Sequence, residues 1–231
     1  MLCMYIRFMA RSIFTDDYYH KANRNQLIAL LRNRGITDES VLNAMNQVPR
    51  HFFLDNAFEK HAYQDKAFPI GEGQTISQPY TVAYQTQLLQ VKKNDKILEV
   101  GTGSIYQATI LAELGAWVFT IERQKKLFEF NQRQYHFKNK YLNIKFFYGD
   151  GFVGLPTYAP FDKIIITAAA PFIPPKLVEQ LKVGGIMVLP VDQEAGGDQT
   201  MMRLTKQADG TLLEEHFESF SFVPMLSGKN G

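Results

Sequence analysis

Apolar residues in this chain follow two rhythms. From residue 96 onward they gather in short runs: KILEV at 96–100, WVFTIE at 117–122, IKFFY at 144–148, KIIIT at 163–167 and IMVLPV at 186–191. Such runs, bounded by turn formers, read as strands. Between them lie stretches of helical character: 106–114 closed by Gly115, 124–138, and a segment entered through Pro174-Pro175 and closed by Gly184-Gly185. Near-continuous apolar strands alternating with helices predict a parallel sheet covered on both faces.

The flanks differ. Residues 16–66 read as helical: Leu27, Leu30, Leu31 and Arg34 recur at helical spacing, Gly35 is a stop, and Thr37-Asp38 offers a start for Glu39 to Val48 before Pro49. At the other end, 201–207 and 211–223 flank Asp209-Gly210, a turn that suits an antiparallel hairpin. The expected fold is a doubly wound, mostly parallel α/β sheet with N-terminal helices and a C-terminal antiparallel hairpin. We read one domain, divided into a helical region at 16–66, a core at 67–200 and a hairpin with its tail at 201–231.

Composition narrows the partners. Across 231 residues, 45% are hydrophobic and 21% charged, as in ordinary globular domains. With 25 basic against 23 acidic side chains, the net charge of +2 gives no field that argues for nucleic acid or anionic lipid. The single cysteine, Cys3, rules out an internal disulfide framework. The apolar opening at 1–10 is broken by Arg7, so it lacks the unbroken run of a secretory signal. No segment approaches the ~20 apolar residues of a membrane span. A cytoplasmic protein is the expectation.

The first strand runs into Glu99-Val100-Gly101-Thr102-Gly103-Ser104. A strand ending in Gly-x-Gly and opening into a helix is a ligand-binding turn, because glycine admits positive φ and close backbone approach. A dinucleotide site needs a further glycine where Tyr106 stands, and no Gly-x-x-x-x-Gly-Lys phosphate loop is present. An acidic strand end such as Glu99 repels a pyrophosphate but attracts an ammonium, which favours S-adenosylmethionine. The second strand ends in Glu122, whose carboxylate can take both ribose hydroxyls. After the third strand, Asp150 and Gly151 in Gly149-Asp150-Gly151 offer a carboxylate and open backbone for the adenine amino group.

Upstream of the sheet lies the run GEGQTISQPY at 71–80, which on its residues alone is a turn-rich loop before a helix, with Ser77 a candidate N-cap. This run resembles the signature of protein-L-isoaspartate O-methyltransferases. VPRHFF at 48–53, ILEVGTGS at 97–104, AELGAWVFTIER at 112–123, GDG at 149–151, FDKIIITAAAP at 161–171, LVEQLKVGGIMVLPV at 177–191 and FVPM at 222–225 agree with it in order. The resemblance covers about residues 25–226. It implies a Rossmann-like sheet and methyl transfer from S-adenosylmethionine, leaving S-adenosylhomocysteine, to the free carboxylate of isoaspartyl sites in damaged proteins. Ser77 is implied as the active-site hydroxyl. A cofactor site is implied at Glu99, Gly101, Thr102, Gly103, Ser104, Glu122, Arg123, Asp150, Gly151 and Thr167. Substrate contacts are implied at Ile76, Gln78, Pro79, Ala168, Ala169, Ala170 and Val223, and family precedent favours a monomer.

One departure stands out. Where the family continues the turn with glycine, this chain has Ile105. A left-handed backbone there costs a β-branched residue roughly 1–2 kcal/mol; a side chain aimed at the cofactor would intrude on it. Either route weakens binding, whereas a small backbone shift preserves it. Two other readings stay open: a cofactor-binding homologue with impaired turnover, and a methyltransferase for another acceptor such as RNA, disfavoured by the weak charge balance. A nicotinamide oxidoreductase is disfavoured by Tyr106. The five histidines show no metal-ligand spacing, Trp117 reads as packing, and the lysines and arginine of 125–140 as a solvated face.

Overall fold

The computed structural model describes residues 15–193 and 196–231; the opening at 1–10, with Cys3, lies outside them. Helix α1 (Tyr18–Asn33) ends at Gly35, whose φ of +96° marks the stop. Helix α2 (Glu39–Gln47) starts at Asp38, whose carboxylate accepts from the Ser40 and Val41 amides. Two 3-10 turns follow, at Arg50–Phe53 and Asn56–His61. The signature segment then folds as a small hairpin, β1 (Phe68–Gly71) and β2 (Gln74–Ile76), where a plain loop was expected. Its turn takes positive φ at Gly71, Glu72 and Gly73, the handedness that short hairpins favour.

Helix α3 (Pro79–Leu89) leads into the main sheet. Strands β3 (Lys96–Val100), β4 (Trp117–Glu122), β5 (Ile144–Tyr148), β6 (Phe161–Ile166) and β7 (Leu181–Asp192) alternate with α4 (Tyr106–Glu113), α5 (Lys125–Gln134) and α6 (Pro175–Gln180). Strands β8 (Gln199–Lys206) and β9 (Leu212–Phe220) complete it. The spatial order is β5-β4-β3-β6-β7-β8-β9. Strands β5 to β7 pair in parallel, and β8 pairs antiparallel with both neighbours. The expected doubly wound sheet and terminal hairpin are present, with Asp209 accepting from Thr211 in the hairpin turn.

Two further expectations need correction. Gly184-Gly185 does not close a helix: β7 begins at Leu181 and its register with β6 shifts between Phe161 and Lys163. A Cβ on Gly185 would meet the Lys182 and Asp162 carbonyls at 2.8 and 2.9 Å, so the glycine lets the strand bulge against its neighbour. Trp117, at the first position of β4, remains 47% exposed rather than packed away.

Strand alternation splits the interior into two layers. Ile97, Val118, Ile165 and Val188 face helices α1 to α4. Leu98, Val100, Ile121 and Ile166 face α6 and the C-terminal tail, with Leu177 and Met225. The strand order reverses at β3, which has β4 on one side and β6 on the other. In such sheets the crevice beyond the carboxyl ends of these strands is the ligand position.

Ile105 takes φ +71° and ψ −1° as the N-cap of α4, so it occupies the left-handed region. Its side chain is buried in the helix-side core. Strain from the backbone therefore accompanies packing from the side chain. Both Ile105→Gly and Ile105→Ala should lose the packing, but only glycine relieves the strain. Urea denaturation should find the glycine variant more stable than the alanine variant by about 1 kcal/mol; the reverse order would contradict a strained Ile105.

Candidate functional site

The Gly-x-Gly turn sits at the carboxyl end of β3, held from three sides. Glu122, ending β4, accepts from the Gly103 amide at 3.0 Å and from Gln124 at 2.9 Å. Asn131 on α5 donates to the Gly103 carbonyl at 2.8 Å. Thr167, just past β6, donates its hydroxyl to the Gly101 and Val100 carbonyls at 2.7 and 3.1 Å. Gly101 has φ +99°, and a Cβ there would lie 2.5 Å from the Thr167 hydroxyl.

Around this turn opens a cleft. Gly101, Thr102, Gly103, Ser104, Glu122 and Arg123 line it, as do Gly151 and Thr167. Ile76, Ser77, Ala168 and Val223 line it as well. Each oxygen of Glu122 is used once, and a carboxylate has about four acceptor sites, so capacity remains for diol hydroxyls. Ile105 does not line this cleft; it borders an aromatic cavity with Phe53 and Tyr135 that meets the cleft at Gly103 and Ser104. Of the two routes considered for Ile105, the structure shows the strained backbone and no intrusion.

Other predicted residues sit elsewhere. Glu99 is entirely buried on the helix-facing side of β3; the Thr120 hydroxyl and Ala108 amide lie near its carboxyl, but neither oxygen closes a well-formed hydrogen bond among the described residues. Burial pushes its pKa up to about 8; the Glu122 carboxylate adds to this, and the Thr120 hydroxyl and Ala108 backbone offset it only in part. Asp150 accepts from the Phe152 amide at 2.9 Å and the Gly228 amide at 2.8 Å, so its carboxylate ties down the tail. Ala169 exchanges backbone bonds with Val223 and Met225, and Ala170 with Pro190 and Asp192. Pro79 is buried as the first residue of α3.

The tail is the part that sequence reading missed. Pro224, Met225 and Leu226 wall the cleft. Arg123 holds this segment through the Gly228 and Ser227 carbonyls, at 3.1 and 3.4 Å. Gln124 and Asn230 pair side chain to side chain. FVPM at 222–225 was a signal in the sequence, but nothing local to it says what it covers.

A second opening adjoins the first. Arg34, Gln78, Tyr80 and Glu218 lie along it, and it shares Thr75, Ser77, Thr167 and Val223 with the cleft. The Arg34 guanidinium lies 3.7 Å from the Tyr80 ring centroid, and the Tyr80 hydroxyl donates to Glu218 at 3.1 Å. Ser77 stands where the two spaces meet, and its hydroxyl makes no hydrogen bond to another described residue.

Residues 22–230 match the family profile described as protein-L-isoaspartate(D-aspartate) O-methyltransferase. A protein-L-isoaspartate O-methyltransferase of Cytophaga hutchinsonii is 54% identical over 217 residues, covering 94% of this chain and 96% of its own. Another, of Flavobacterium johnsoniae, is 52% identical over 219 residues, covering 93% of this chain and 99% of its own. A solved Plasmodium falciparum structure, described as a beta-aspartate methyltransferase in complex with S-adenosyl-L-homocysteine, superposes with a TM-score of 0.75 at 26% identity. It spans 90% of this chain and 98% of its own.

Glu99 has a consequence for stability. An unfolded carboxyl titrates near 4.5, while the folded one does so near 8. Between these values the folded state holds a proton that the unfolded state has released. Stability contributed by the neutral acid is thus complete below about 4.5 and is lost as pH rises towards 8. Without ligand, the melting temperature of the wild type should fall between pH 5.5 and 8.5 more steeply than that of Glu99→Gln. Parallel profiles would contradict a buried, neutral Glu99.

Proposed function

The chain belongs to the protein-L-isoaspartate(D-aspartate) O-methyltransferase family, and on that premise we propose how its cleft carries a methyl group from S-adenosylmethionine to the free carboxylate of an L-isoaspartyl residue. One observation carries the reading: Ser77 lies at the junction of the cofactor cleft and the second opening.

The residues present fit the cofactor. Gly101, Gly103 and Gly151 give the cleft a lining without side chains, and Glu122 beside them keeps acceptor capacity for hydroxyls. In our reading Glu122 takes the ribose hydroxyls, while Gly101, Thr102, Gly103 and Ser104 bed the methionine portion. Gly151, Arg123 and the tail enclose the adenine, with Asp150 acting by holding the tail. Glu99 contributes charge from beneath the turn rather than contact; a cation above it favours the ionised form. Bound S-adenosylmethionine supplies a methyl group already activated on a sulfonium.

The chain's own work is alignment. The isoaspartyl carboxylate is ionised at neutral pH, so no general base is needed. It enters through the second opening, where Ser77 donates a hydrogen bond that turns one oxygen towards the cleft. Ile76, Ala168 and Val223 close the junction against water, and Gln78 borders the entry. Ala169, Ala170 and Pro79 support this wall from behind. Alignment of this kind contributes roughly 7–11 kcal/mol in favourable cases. The same reading has the chain act as one domain and as a monomer, in the cytoplasm, on protein rather than nucleic acid. Among the described residues no helix is long and apolar enough to cross a membrane.

Labelled S-adenosylmethionine should transfer methyl to an isoaspartyl peptide and leave its aspartyl twin and an RNA unlabelled; label in RNA alone would overturn the reading. Ser77→Ala should lower kcat by about 10–100-fold, the scale of a lost bond to a charged group, with S-adenosylhomocysteine affinity unchanged.

A further inference from the structure

The segment that presents Ser77 has no local cap. Helix α3 starts with Gln78 as N-cap, whose side chain makes no capping bond, and with Pro79, which has no N–H to give. The first amide needing an acceptor is therefore that of Tyr80. It donates to Asp65 at 2.8 Å, from fifteen residues upstream. The other oxygen of the same carboxylate accepts from the Gln78 side-chain amide at 3.0 Å and from Arg34.

Asp65 thus does at long range what a serine or aspartate N-cap does locally. A carboxylate at this end of a helix also meets the positive pole of the backbone dipole. Its side chain is only 12% exposed, and it borders neither the cleft nor the second opening. Arg34 fixes the arrangement from the far side: it pairs with Asp65 and covers the Tyr80 ring. Gln78 and Tyr80, one and three residues after Ser77, are therefore both tied to one carboxylate, while the Ser77 hydroxyl makes no hydrogen bond to another described residue.

We propose that Asp65 is the positioning residue that sets the direction of the Ser77 hydroxyl at the junction of the two openings. The proposal rests on the transfer role given to Ser77 above. Asp65 touches no reacting atom; it acts by fixing the backbone on which Ser77 stands. A displacement of about 1 Å at such a site costs up to roughly a hundredfold in rate.

The test is a double-mutant cycle on the full chain, using Asp65→Ala, Asp65→Asn, Ser77→Ala and the combined Asp65→Ala, Ser77→Ala protein, assayed with an isoaspartyl peptide. Asp65→Ala should lower kcat by about tenfold with little change in peptide KM or S-adenosylhomocysteine Kd. Asp65→Asn keeps an oxygen for the Tyr80 amide and should recover most of that loss. In the Ser77→Ala background, Asp65→Ala should cost less than about twofold more. Hydrogen exchange, which needs no turnover, should quicken at residues 77–82 in Asp65→Ala and stay unchanged around Gly101.

Full additivity of the two substitutions, an unchanged kcat in Asp65→Ala, or an equal loss of S-adenosylhomocysteine affinity would each overturn the proposal. If the wild type transfers and any of these results appears, Asp65 alone is misassigned. If the wild type transfers nothing to the peptide, the reading of Ser77 fails, and the role of Asp65 fails with it.

Discussion

The site depends on one close approach: the backbone of Gly101 against the hydroxyl of Thr167. Gly101 leaves β3 with φ +99°, donates to Ile121 on β4, and lies so near Thr167 that no side chain fits between them. Thr167 in turn spends its hydroxyl on the Gly101 and Val100 carbonyls. Three parallel strands are thereby tied together at their carboxyl ends, and the turn between them is given one shape. Glu122 can then reach the Gly103 amide, and Thr102 can meet Thr120 at 2.6 Å.

What the sheet begins, two distant segments complete. The C-terminal tail crosses to Arg123, Gln124 and Asp150 and becomes a wall of the cleft. The β1–β2 hairpin brings Ile76 and Ser77 to the other side. The cleft is thus assembled from residues 74 to 226, which explains how a modest set of reactive groups suffices. Methyl transfer to an ionised carboxylate asks for alignment and exclusion of water, and packing from several elements supplies both.

Much of this was legible in the sequence. The apolar runs located β3 to β6 because strands buried on both faces carry few polar residues. The Gly-x-Gly turn and Glu122 followed from strand ends, which are local. Less legible were residues whose partners are remote or hidden. Asp150 looked free, but its partner Gly228 lies 78 positions away. Ser77 looked like a cap, while the acceptor for the Tyr80 amide is Asp65. Glu99 was placed at a strand tip, yet the period-two alternation of β3 turns it towards the helices with Ile97. Ala169 and Ala170, after β6, bond through their backbones to Val223 and Met225 and to Pro190 and Asp192, pairings that no local pattern announces. At Ile105 the left-handed backbone disfavours a β-branched residue, and the side chain is buried in the core rather than in the cleft.

Calorimetric titration of Gly101→Ala with S-adenosylhomocysteine, beside the wild type, probes the Gly101–Thr167 approach most directly. The added methyl must displace Thr167 or the turn, so affinity should fall about tenfold or more while circular dichroism still reports a folded α/β protein. Affinity within about threefold of the wild type, in a protein equally well folded, would contradict the claim that this contact shapes the site.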